Sequence, residues 1–500
     1  FRIDGGGTIA LPNALGGNSG LTTNIDVNNN GSGTNGVIQL NGASSLSAIG
    51  TATWNITGGN GYSLHLANLR TTAGTAGTHT FNPTSAALTI GNITGTQGSG
   101  TNTWALSGTN TGNAVTGVIS NGGAAVGAVT KSGSGTWALN GANSYTGATN
   151  VTAGILRAGN AAAFGSTAGG VSITAGAVVD LNGQAIGAEA FTVNGTGISS
   201  GGALINTSAT AASLSGTVAM ASATSFGGDG AGVMTLSGVV SGGFALSKVG
   251  TGTLALNGAN SYTGATNVTA GLLRAGNATA FGTTAGGVSI TAGAAVDVNG
   301  QAIGAEAFTI NGTGISSGGA LVNNSGTAAT LAGNVAMGSA SSIGGSGSLT
   351  VSGVVSGAFG LTKVGTGTTI LTGNNTYSGG TTIANGALQL GSDTAAGSGA
   401  ISLLNGGSTT ATRVFVAGGV TAANNISFGT VFGTLGQGVL QHTGTGQARL
   451  NGTISISGGP SAGGHFVGGN SLANALVLGG AISTTVAEIS QREGHVVYEG

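Results

Sequence analysis

Charged side chains that could perform chemistry are few in this sequence, and most of them come in pairs. Asp180 recurs as Asp297 and Glu189 recurs as Glu306, both at one constant offset along the chain. Two carboxylates held about 5–10 Å apart are what glycosidases use to break a glycosidic bond, so Asp180 with Glu189 is the pair that could serve a polysaccharide-active enzyme. An active site is normally single, whereas a charge that recurs with a repeat indicates a structural contact.

The basic residues do not strengthen the case for catalysis. Arg157 and Arg274 are separated by the same offset as the acids, and no cluster of Lys or Arg accompanies the duplicated carboxylates. With 11 acidic, 10 basic and 5 His residues spread over 500 positions, groups that converge on one pocket are hard to assemble. We therefore predict that the protein is not an enzyme and that it has neither catalytic residues nor a cofactor.

The residues that most often bind metals show no metal-site pattern. His442, His465 and His495 lack the spacing of metal ligands and are predicted to lie on the surface. The sequence Gly-Gly-Asp-Gly at 227–230 occurs once and is interpreted as a flexible turn rather than a calcium loop. No metal site is predicted.

Three tryptophans could form stacking platforms for sugars. Trp54, Trp104 and Trp137 occupy one motif position, and Leu254 and Thr369 take that position in later copies of the motif. Because an aliphatic residue and a threonine replace the indole, we expect these tryptophans in the core or at a corner.

Composition limits the partners of this chain. Only 4% of residues are charged, the formal net charge is −1, and 105 of the 500 residues are Gly. Nucleic-acid binding and electrostatic capture at an anionic membrane both need concentrated basic charge, so neither partner is predicted. No apolar run approaches the length of a transmembrane helix, roughly 18 residues, and no Cys is present for disulfides or thiolate metal sites. A hydrophobic fraction of 39% still allows a core of small side chains.

Three long copies of one motif organise the sequence. They read KSGSGTWALNGANSYTG at 131–147, KVGTGTLALNGANSYTG at 248–264 and KVGTGTTILTGNNTYSG at 363–379. Such copies predict stacked structural units, each covering the apolar face of the next. The recurring motif residues are Lys131, Gly141, Asn143, Tyr145, Gly147, Lys248, Gly258, Asn260, Tyr262, Gly264, Lys363, Gly373, Asn375, Tyr377 and Gly379.

A smaller period lies within these copies. Val151 and Ile173 open the same tetrapeptide pattern, and the LSG sequences at Leu214 and Leu236 repeat that spacing. Short apolar or alternating runs such as Thr253–Leu256 end at Gly and Asn, which tolerate the positive φ of sharp corners. These features predict an all-β fold, a parallel β-helix (β-solenoid) with rungs of roughly 20–22 residues and no α-helix.

One continuous solenoid is predicted, with its divisions set by the Lys of each copy. Divergent rungs occupy 1–130, followed by repeat unit 1 at 131–247, repeat unit 2 at 248–362 and repeat unit 3 at 363–491. Residues 492–500 are interpreted as the start of a further unit, so that the chain would run on past residue 500.

The third copy resembles the autotransporter-associated β-strand repeat. That family's pattern is Lys-x-Gly-x-Gly-Thr, an apolar strand, Gly-x-Asn-x-Tyr-x-Gly, then a strand and Gly-x-Leu, and residues 363–391 follow it through Gly386 and Leu388. The chain is thus similar to an autotransporter passenger. The resemblance implies a right-handed parallel β-helix, export across the outer membrane and display on a bacterial surface, and it implies no catalytic site.

The leading hypothesis for function is a structural extracellular rod or fibre segment that self-associates or displays other domains. It rests on the repeats and the sparse charge, because a weak net charge gives little protection against association. The alternative is an adhesin that binds glycans or host or cell surfaces through the β-helix face. A more distant alternative is a polysaccharide-active enzyme that uses Asp180 and Glu189. The expected partners are other copies of the chain, or a glycan or surface ligand, outside the cell.

Overall fold

A computed structural model describes residues 7–12, 20–28, 33–46, 51–71, 77–95, 99–123, 125–404, 412–428, 438–456, 464–467, 471–484 and 489–499. The chain divides into two compact units, Phe1–Leu254 and Ala255–Gly500. The boundaries of the three repeat units and of the segment 492–500 stay predictions.

Both units are built from parallel β-strands wound into turns. Strand pairs within the described ranges run parallel, and together the two units hold about 17 turns of a β-solenoid with 2% helix. The predicted all-β parallel solenoid is therefore confirmed. Three short 3₁₀ turns make up the described helix: Ile198–Ser200, Ile315–Ser317 and Leu472–Asn474. Over the residues described, no helix has the length and apolar character needed to cross a membrane.

The strands of the first unit are mostly short. They are Thr8–Leu11, Thr22–Val27, Val37–Leu46, Ala52–Gly58, Ser63–Thr71, Gly77–Pro83, Ala87–Thr94, Thr101–Leu106, Asn113–Val115, Ile119–Ser120, Val126–Lys131, Thr136–Leu139, Thr149–Val151, Gly154–Ala158, Val171–Ile173, Ala177–Asp180, Ala185–Ile186, Phe191–Val193, Leu204–Ile205, Ala212–Leu214, Val218–Met220, Thr224–Gly227, Met234–Leu236, Val240–Ser241, Leu246–Lys248 and, at its end, Thr253–Leu256.

The second unit has strands of the same kind. They are Thr266–Val268, Leu272–Ala275, Val288–Ile290, Ala295–Asp297, Ala302–Ile303, Phe308–Gly312, Leu321–Val322, Ala329–Leu331, Val335–Gly344, Leu349–Val351, Val355–Ser356, Leu361–Lys363, Thr368–Leu371, Thr381–Ile383, Ala387–Leu390, Ile401–Leu403, Arg413–Ala417, Thr421–Ala422, Ile426–Phe428, Gly438–Thr443, Ala448–Leu450, Ile454–Ile456, Gly464–Val467, Leu476–Leu478, Ile482–Thr484, Ile489–Glu493 and Val496–Tyr498.

The length of a turn varies along the chain. Val129 pairs with Thr149, and Thr149 pairs with Val171, so these two turns have the predicted rung length. Thr22 pairs with Thr53, which makes the turn in that earlier region about half as long again. Strands there reach 7 and 10 residues, whereas Thr149–Val151 and Gly154–Ala158 of the first repeat have 3 and 5. Turns longer than predicted also lie within the repeat units, since Phe191 pairs with Val218 and Phe308 pairs with Val335.

The core is a thin stack of small apolar side chains. Val171 and Ile173 are buried, while Ser172 between them is partly exposed, as alternation in a strand requires. Parallel pairing places Ile173 between Val151 and Val193 of the turns on either side. Full burial of a side chain of this size stabilises the fold by about 1.5–3 kcal/mol, so each turn depends on the next to cover it.

Candidate functional site

The Lys that opens each motif copy is a buried cation. Lys131 ends the strand Val126–Lys131, is 0% exposed, and donates from Nζ to the carbonyl oxygens of Ser132 (2.8 Å), Gly133 (2.8 Å) and Ala153 (2.9 Å). Burial lowers the pKa of Lys131 to about 8. The ammonium thus joins the sharp turn that follows it to the next turn of the solenoid.

The other two copies repeat this arrangement. Lys248 donates to the carbonyls of Val249 (2.9 Å) and Gly250 (2.7 Å). Burial lowers the pKa of Lys248 to about 8, and the negative charge of Asp229 opposes that shift. Lys363 donates to the carbonyl oxygens of Val364, Gly365 and Asn385 at 2.8, 2.8 and 3.1 Å, and burial lowers its pKa to about 8.

The motif asparagine joins three successive turns. Asn143 Oδ1 accepts from the backbone N–H of Ile119 (2.8 Å), and its Nδ2 donates to the carbonyl of Ala163 (2.6 Å). Asn375 makes the same two bonds, to the N–H of Val355 (2.7 Å) and the carbonyl of Ala395 (2.6 Å). In the second copy, Asn260 Nδ2 donates to Ala280 O at 2.6 Å. A buried amide therefore satisfies backbone groups that the strand ladders leave unpaired.

The motif tyrosine packs inside the corner. Tyr145 is fully buried, and its hydroxyl lies 2.6 Å from Thr149 Oγ1, which donates to the carbonyl of Phe164 at 3.4 Å. Burial is the main cause that raises the pKa of Tyr145 well above its usual range. Tyr262 with Thr266, and Tyr377 with Thr381, repeat the 2.6 Å contact.

Two motif glycines leave room for neighbouring backbone. A Cβ on Gly141 would collide with the carbonyl of Gly117, and one on Gly147 would meet the carbonyl of Gly127 at 2.5 Å. The corresponding glycines of the third copy, Gly373 and Gly379, also abut backbone of the preceding turn, and Gly258 and Gly264 hold these places in the second copy. Glycine is required here because any side chain would push two turns apart.

The duplicated aspartate is saturated by hydrogen bonds. Arg157 Nε donates to Asp180 Oδ2 at 3.0 Å, and the Thr207 hydroxyl donates to the same oxygen at 2.7 Å. Asp180 Oδ1 accepts from the backbone N–H groups of Asn182 (3.0 Å) and Thr207 (3.2 Å). Asp180 is 0% exposed, so the carboxylate fixes a loop and has no face left for a substrate.

Asp297 repeats these contacts in the second unit. Arg274 Nε donates to Asp297 Oδ2 at 3.3 Å, and the N–H groups of Asn299 and Asn324 donate to Oδ1 at 3.0 and 3.1 Å. In the third copy, Gln389 pairs with Phe415 at the positions of the arginine and the aspartate.

The duplicated glutamates have a different environment. Glu189 is 3% exposed, accepts a hydrogen bond from the N–H of Gly170, and leaves Oε1 buried with no partner. Burial raises the pKa of Glu189 to about 7, and the Gly170 bond opposes that shift. Glu306 has the same burial, the same orphaned oxygen and the same pKa of about 7, with Gly287 as its donor. Among the described residues, Glu189 and Asp180 share no hydrogen-bond partner.

The histidine prediction is wrong for His442. The residue is 6% exposed, and its Nε2 lies 2.7 Å from the carbonyl of Gly446. His442 occupies an inward position of the strand Gly438–Thr443, where alternate residues face the core. The side chain of His465 lies outside the described residues, and His495 is exposed as predicted. Where the structure describes side chains, no group of three His, Asp or Glu could hold a metal ion.

The tryptophans lie in the core. Trp54, Trp104 and Trp137 are 4%, 0% and 0% exposed. Trp54 stacks on Phe81 with ring centroids 5.3 Å apart, and Trp137 donates from Nε1 to the carbonyl of Ser107 at 2.8 Å. None of these rings presents a face for a sugar.

An open cleft of about 340 Å³ lies on the outer face of the first unit. Its register places Arg70 beside Thr94 and Thr94 beside Ser120, so the side chains form a ladder across three turns. Arg70 is exposed, and the ion pairs of the described residues do not include it. Sequence reasoning missed this site, because these residues lie one turn apart and carry no shared motif. The cleft is lined by Asn68, Arg70, Asn92, Thr94, Val118 and Ser120.

A family model described as the passenger-associated-transport-repeat matches residues 129–158, 246–275 and 361–390. Each match begins two residues before the buried Lys and contains the Asn and Tyr of the corner. No curated protein and no solved structure matches the chain. The three repeats indicate an autotransporter passenger domain with a β-helix, which confirms the predicted likeness. Such repeats imply a secreted or surface-displayed protein.

Proposed function

We propose that this chain is a structural segment of a bacterial surface protein, which self-associates into fibres or displays other domains. The observation that carries the proposal is the identity of the hydrogen-bond partners of the recurring polar residues. Lys131, Asn143 and Tyr145 are buried and bonded to the chain's own backbone or side chains. Polar groups used in this way hold turns together and leave little for a substrate.

The proposal includes the absence of enzymatic activity. Asp180, one of the two acids that a glycosidase would need, has Arg157 and Thr207 on its oxygens and no exposed surface. Polysaccharides incubated with the purified chain should stay intact. Cleavage that disappears in both Asp180→Asn and Glu189→Gln would restore the enzyme hypothesis.

Self-association is supported by a neutral amide ladder on the first unit. Asn55 Nδ2 donates to Asn24 Oδ1 and Asn82 Nδ2 donates to Asn55 Oδ1, each at 2.8 Å. With a net charge of −1, long-range repulsion between copies is weak. Uncharged ladders of this kind can pair between copies at little electrostatic cost.

Light scattering over a concentration series, followed by electron microscopy with mass per length, tests this proposal. We expect the scattering mass to rise with concentration, and Asn55→Lys to suppress that rise by adding charge within the ladder. Thr330→Lys, an exposed position away from the ladder, is the matched control and should leave association unchanged. A mass that stays monomeric to high concentration would contradict self-association.

An adhesin is the second candidate, and the cleft at Arg70 is the observation that favours it. The volume of about 340 Å³ falls within the range of small-ligand sites, and the lining offers an arginine that is in none of the ion pairs of the described residues, with amides and hydroxyls. A guanidinium binds carboxylates through paired hydrogen bonds, so the ligand of this cleft would be an acidic glycan.

Binding of acidic and neutral oligosaccharides on a glycan array tests the adhesin. Acidic glycans should bind in a saturable manner, and Arg70→Ala should lower the affinity at least tenfold. Arg413→Ala removes another exposed arginine, in the second unit, and should have no effect. The absence of any hit at high protein concentration would leave the structural role alone.

A further inference from the structure

The two buried glutamates stand apart from the other acids of the chain. Glu189 and Glu306 have no ion pair with Lys, Arg or His in the part of the chain that the structure describes. Each receives one backbone N–H bond and keeps one buried oxygen without a partner. An ionised carboxylate is costly to bury under these conditions, because one N–H bond does not replace the water it loses.

The third copy has a different residue at the position that Glu189 holds in the first. Val171 N–H donates to the carbonyl of Ala190, and Ile401 N–H donates to that of Asn425. The residue before each of these carbonyls is Glu189 in the first copy and Asn424 in the third. These matching hydrogen bonds therefore make Asn424 the structural equivalent of Glu189.

Asn424 is a hydrogen-bond donor at this position. Its Nδ2 donates to the carbonyl of Gly397 at 2.9 Å and to that of Gly399 at 2.7 Å, and the residue is buried. The amide N–H groups of Asn424 therefore bind two carbonyl oxygens of the corner loop. A carboxylate can donate nothing to such a loop, whereas a carboxylic acid has one O–H to donate.

The surroundings of the glutamate add no positive charge. Tyr145 lies close enough for the charge of Glu189 to raise the tyrosine pKa, and Tyr262 has the same relation to Glu306. Both tyrosines stay neutral because burial raises their pKa further. Lys131 of the same repeat is occupied by the carbonyls of Ser132, Gly133 and Ala153.

The loop over the glutamate contains a second orphaned polar atom. Ser166 Oγ in the first copy and Thr283 Oγ1 in the second are buried without a hydrogen-bond partner. The sequence offset between these two hydroxyls is the one that also relates Glu189 to Glu306. In both repeats, a buried hydroxyl and a buried carboxyl oxygen thus occur together, each without a hydrogen-bond partner. This combination indicates a neutral polar corner.

We propose that Glu189 and Glu306 are carboxylic acids in the folded chain at weakly acidic pH, so that each corner takes up a proton from solvent on folding at that pH and is weakened as pH rises. The proton adds to a carboxylate oxygen of the unfolded chain, which is ionised at that pH. The solenoid is then a proton-loaded structure, more stable in weakly acidic surroundings than in alkaline ones.

The sign of the pH dependence follows from the folded and unfolded states. The pKa of each glutamate is raised from 4.5 to about 7, so its stabilising contribution is complete below pH 4.5 and is lost as pH rises through 7. A shift of that size changes the folding equilibrium by about 300-fold for each glutamate. His79, whose pKa burial lowers to about 4, titrates in the wild type and in variants alike and cancels in their difference.

Two measurements on the whole chain test the proposal. Difference infrared spectra of the folded protein at pH 6 should contain the carbonyl band of a protonated carboxylic acid, and Glu189→Gln with Glu306→Gln should remove it. Denaturant midpoints measured from pH 4.5 to 8 should fall with pH in the wild type and much less in the double variant. Asp393→Asn neutralises an exposed carboxylate and is the control that keeps the wild-type slope.

A substitution in the third copy tests whether a buried acid produces the same pH dependence there. Asn424→Asp replaces the buried amide donor by an acid and should add a new fall in midpoint with rising pH. If the glutamine variant does not fold, the wild-type infrared band decides alone. A folded wild type that lacks the band at pH 6, or a glutamine variant with an unchanged pH slope, would overturn the proposal.

Discussion

The first two motif copies and the third build the same corner from different surroundings. All three bury a Lys on backbone carbonyls, an Asn between turns and a Tyr against a Thr. The third copy lacks the Arg–Asp pair, because Gln389 and Phe415 hold those positions. It also has Asn424 where the other copies have a buried glutamate.

This difference separates two kinds of polar residue. The Lys and the Asn satisfy backbone groups that exist wherever the chain turns this corner, so every copy needs them. The glutamate serves a longer loop that only the first two copies have: the loop from Gly165 to Gly170 is reduced to Gly397 to Ala400 in the third. The Asp of the ion pair binds the backbone of Asn182 and Thr207 instead. The Arg–Asp pair and the buried glutamate are therefore specific to the first two copies, whereas the buried ammonium and amide belong to the framework of all three.

Replacement of the buried Lys should have the largest effect. Lys131→Met and Lys363→Met each leave buried carbonyls without a donor, and we expect a loss of about 3 kcal/mol in the free energy of unfolding in both cases. Urea denaturation with hydrogen exchange of the corner amides measures the loss. Arg413→Met, at an exposed position, is the control. A third copy that tolerates the change while the first does not would break the assignment of Lys to the common framework.

Replacement of the motif asparagine should rank next. Asn143→Leu leaves the N–H of Ile119 and the carbonyl of Ala163 unpaired, and Asn375→Leu does the same to Val355 and Ala395. The expected loss is about 2 kcal/mol in either copy. Hydrogen exchange should accelerate at the Ile119 and Val355 amides. Protection that stays at the wild-type level would show that the amide is not what satisfies them.

Within the Arg–Asp pair, replacement of the aspartate should lower the free energy of unfolding more than replacement of the arginine. Asp180→Ala orphans the N–H groups of Asn182 and Thr207 and should cost about 2 kcal/mol. Arg157→Ala removes a side chain that is 41% exposed and should cost less than about 1 kcal/mol. Gln389→Ala, at the equivalent place of the third copy, should be close to neutral. Equal losses for Arg157→Ala and Asp180→Ala would mean that the ion pair, not the loop, is what Asp180 stabilises.

The sequence predicted the solenoid because its signals are local. Alternating apolar residues and Gly or Asn at corners mark strands such as Phe191–Val193, and the smaller period within each copy indicates the turn. His442 was mispredicted although the alternation of its own strand contains the answer, because a polar residue was assumed to face outward. An inward histidine is tolerated there because its ring meets the carbonyl of Gly446.

The contacts of the candidate site residues were less predictable, because their hydrogen-bond partners lie in neighbouring turns of the solenoid. Lys131 was identified as a motif residue, but its partner Ala153 lies in the next turn of the solenoid. The burial of Glu189 could not be inferred, since it lies in a loop where strand alternation gives no information. Arg70 and Ser120 meet in one cleft only through the register of three turns, and no sequence spacing announces that contact.

Loss of the motif tyrosine hydroxyl should have a smaller effect than replacement of Lys131, Asn143 or Asp180, and it gives the sharpest comparison between copies. Tyr145→Phe and Tyr377→Phe keep the ring in the corner and remove the hydroxyl that contacts Thr149 or Thr381. Each should cost about 1 kcal/mol, because the threonine keeps its bond to a backbone carbonyl. In the first copy the charge of Glu189 also acts on the tyrosine, while the third copy has Asn424 in place of that acid. If the two losses measured by urea denaturation at pH 6 agree but diverge at pH 8, the acid beside Tyr145 is the cause. Agreement at both values would mean that tyrosine and glutamate contribute to the corner independently.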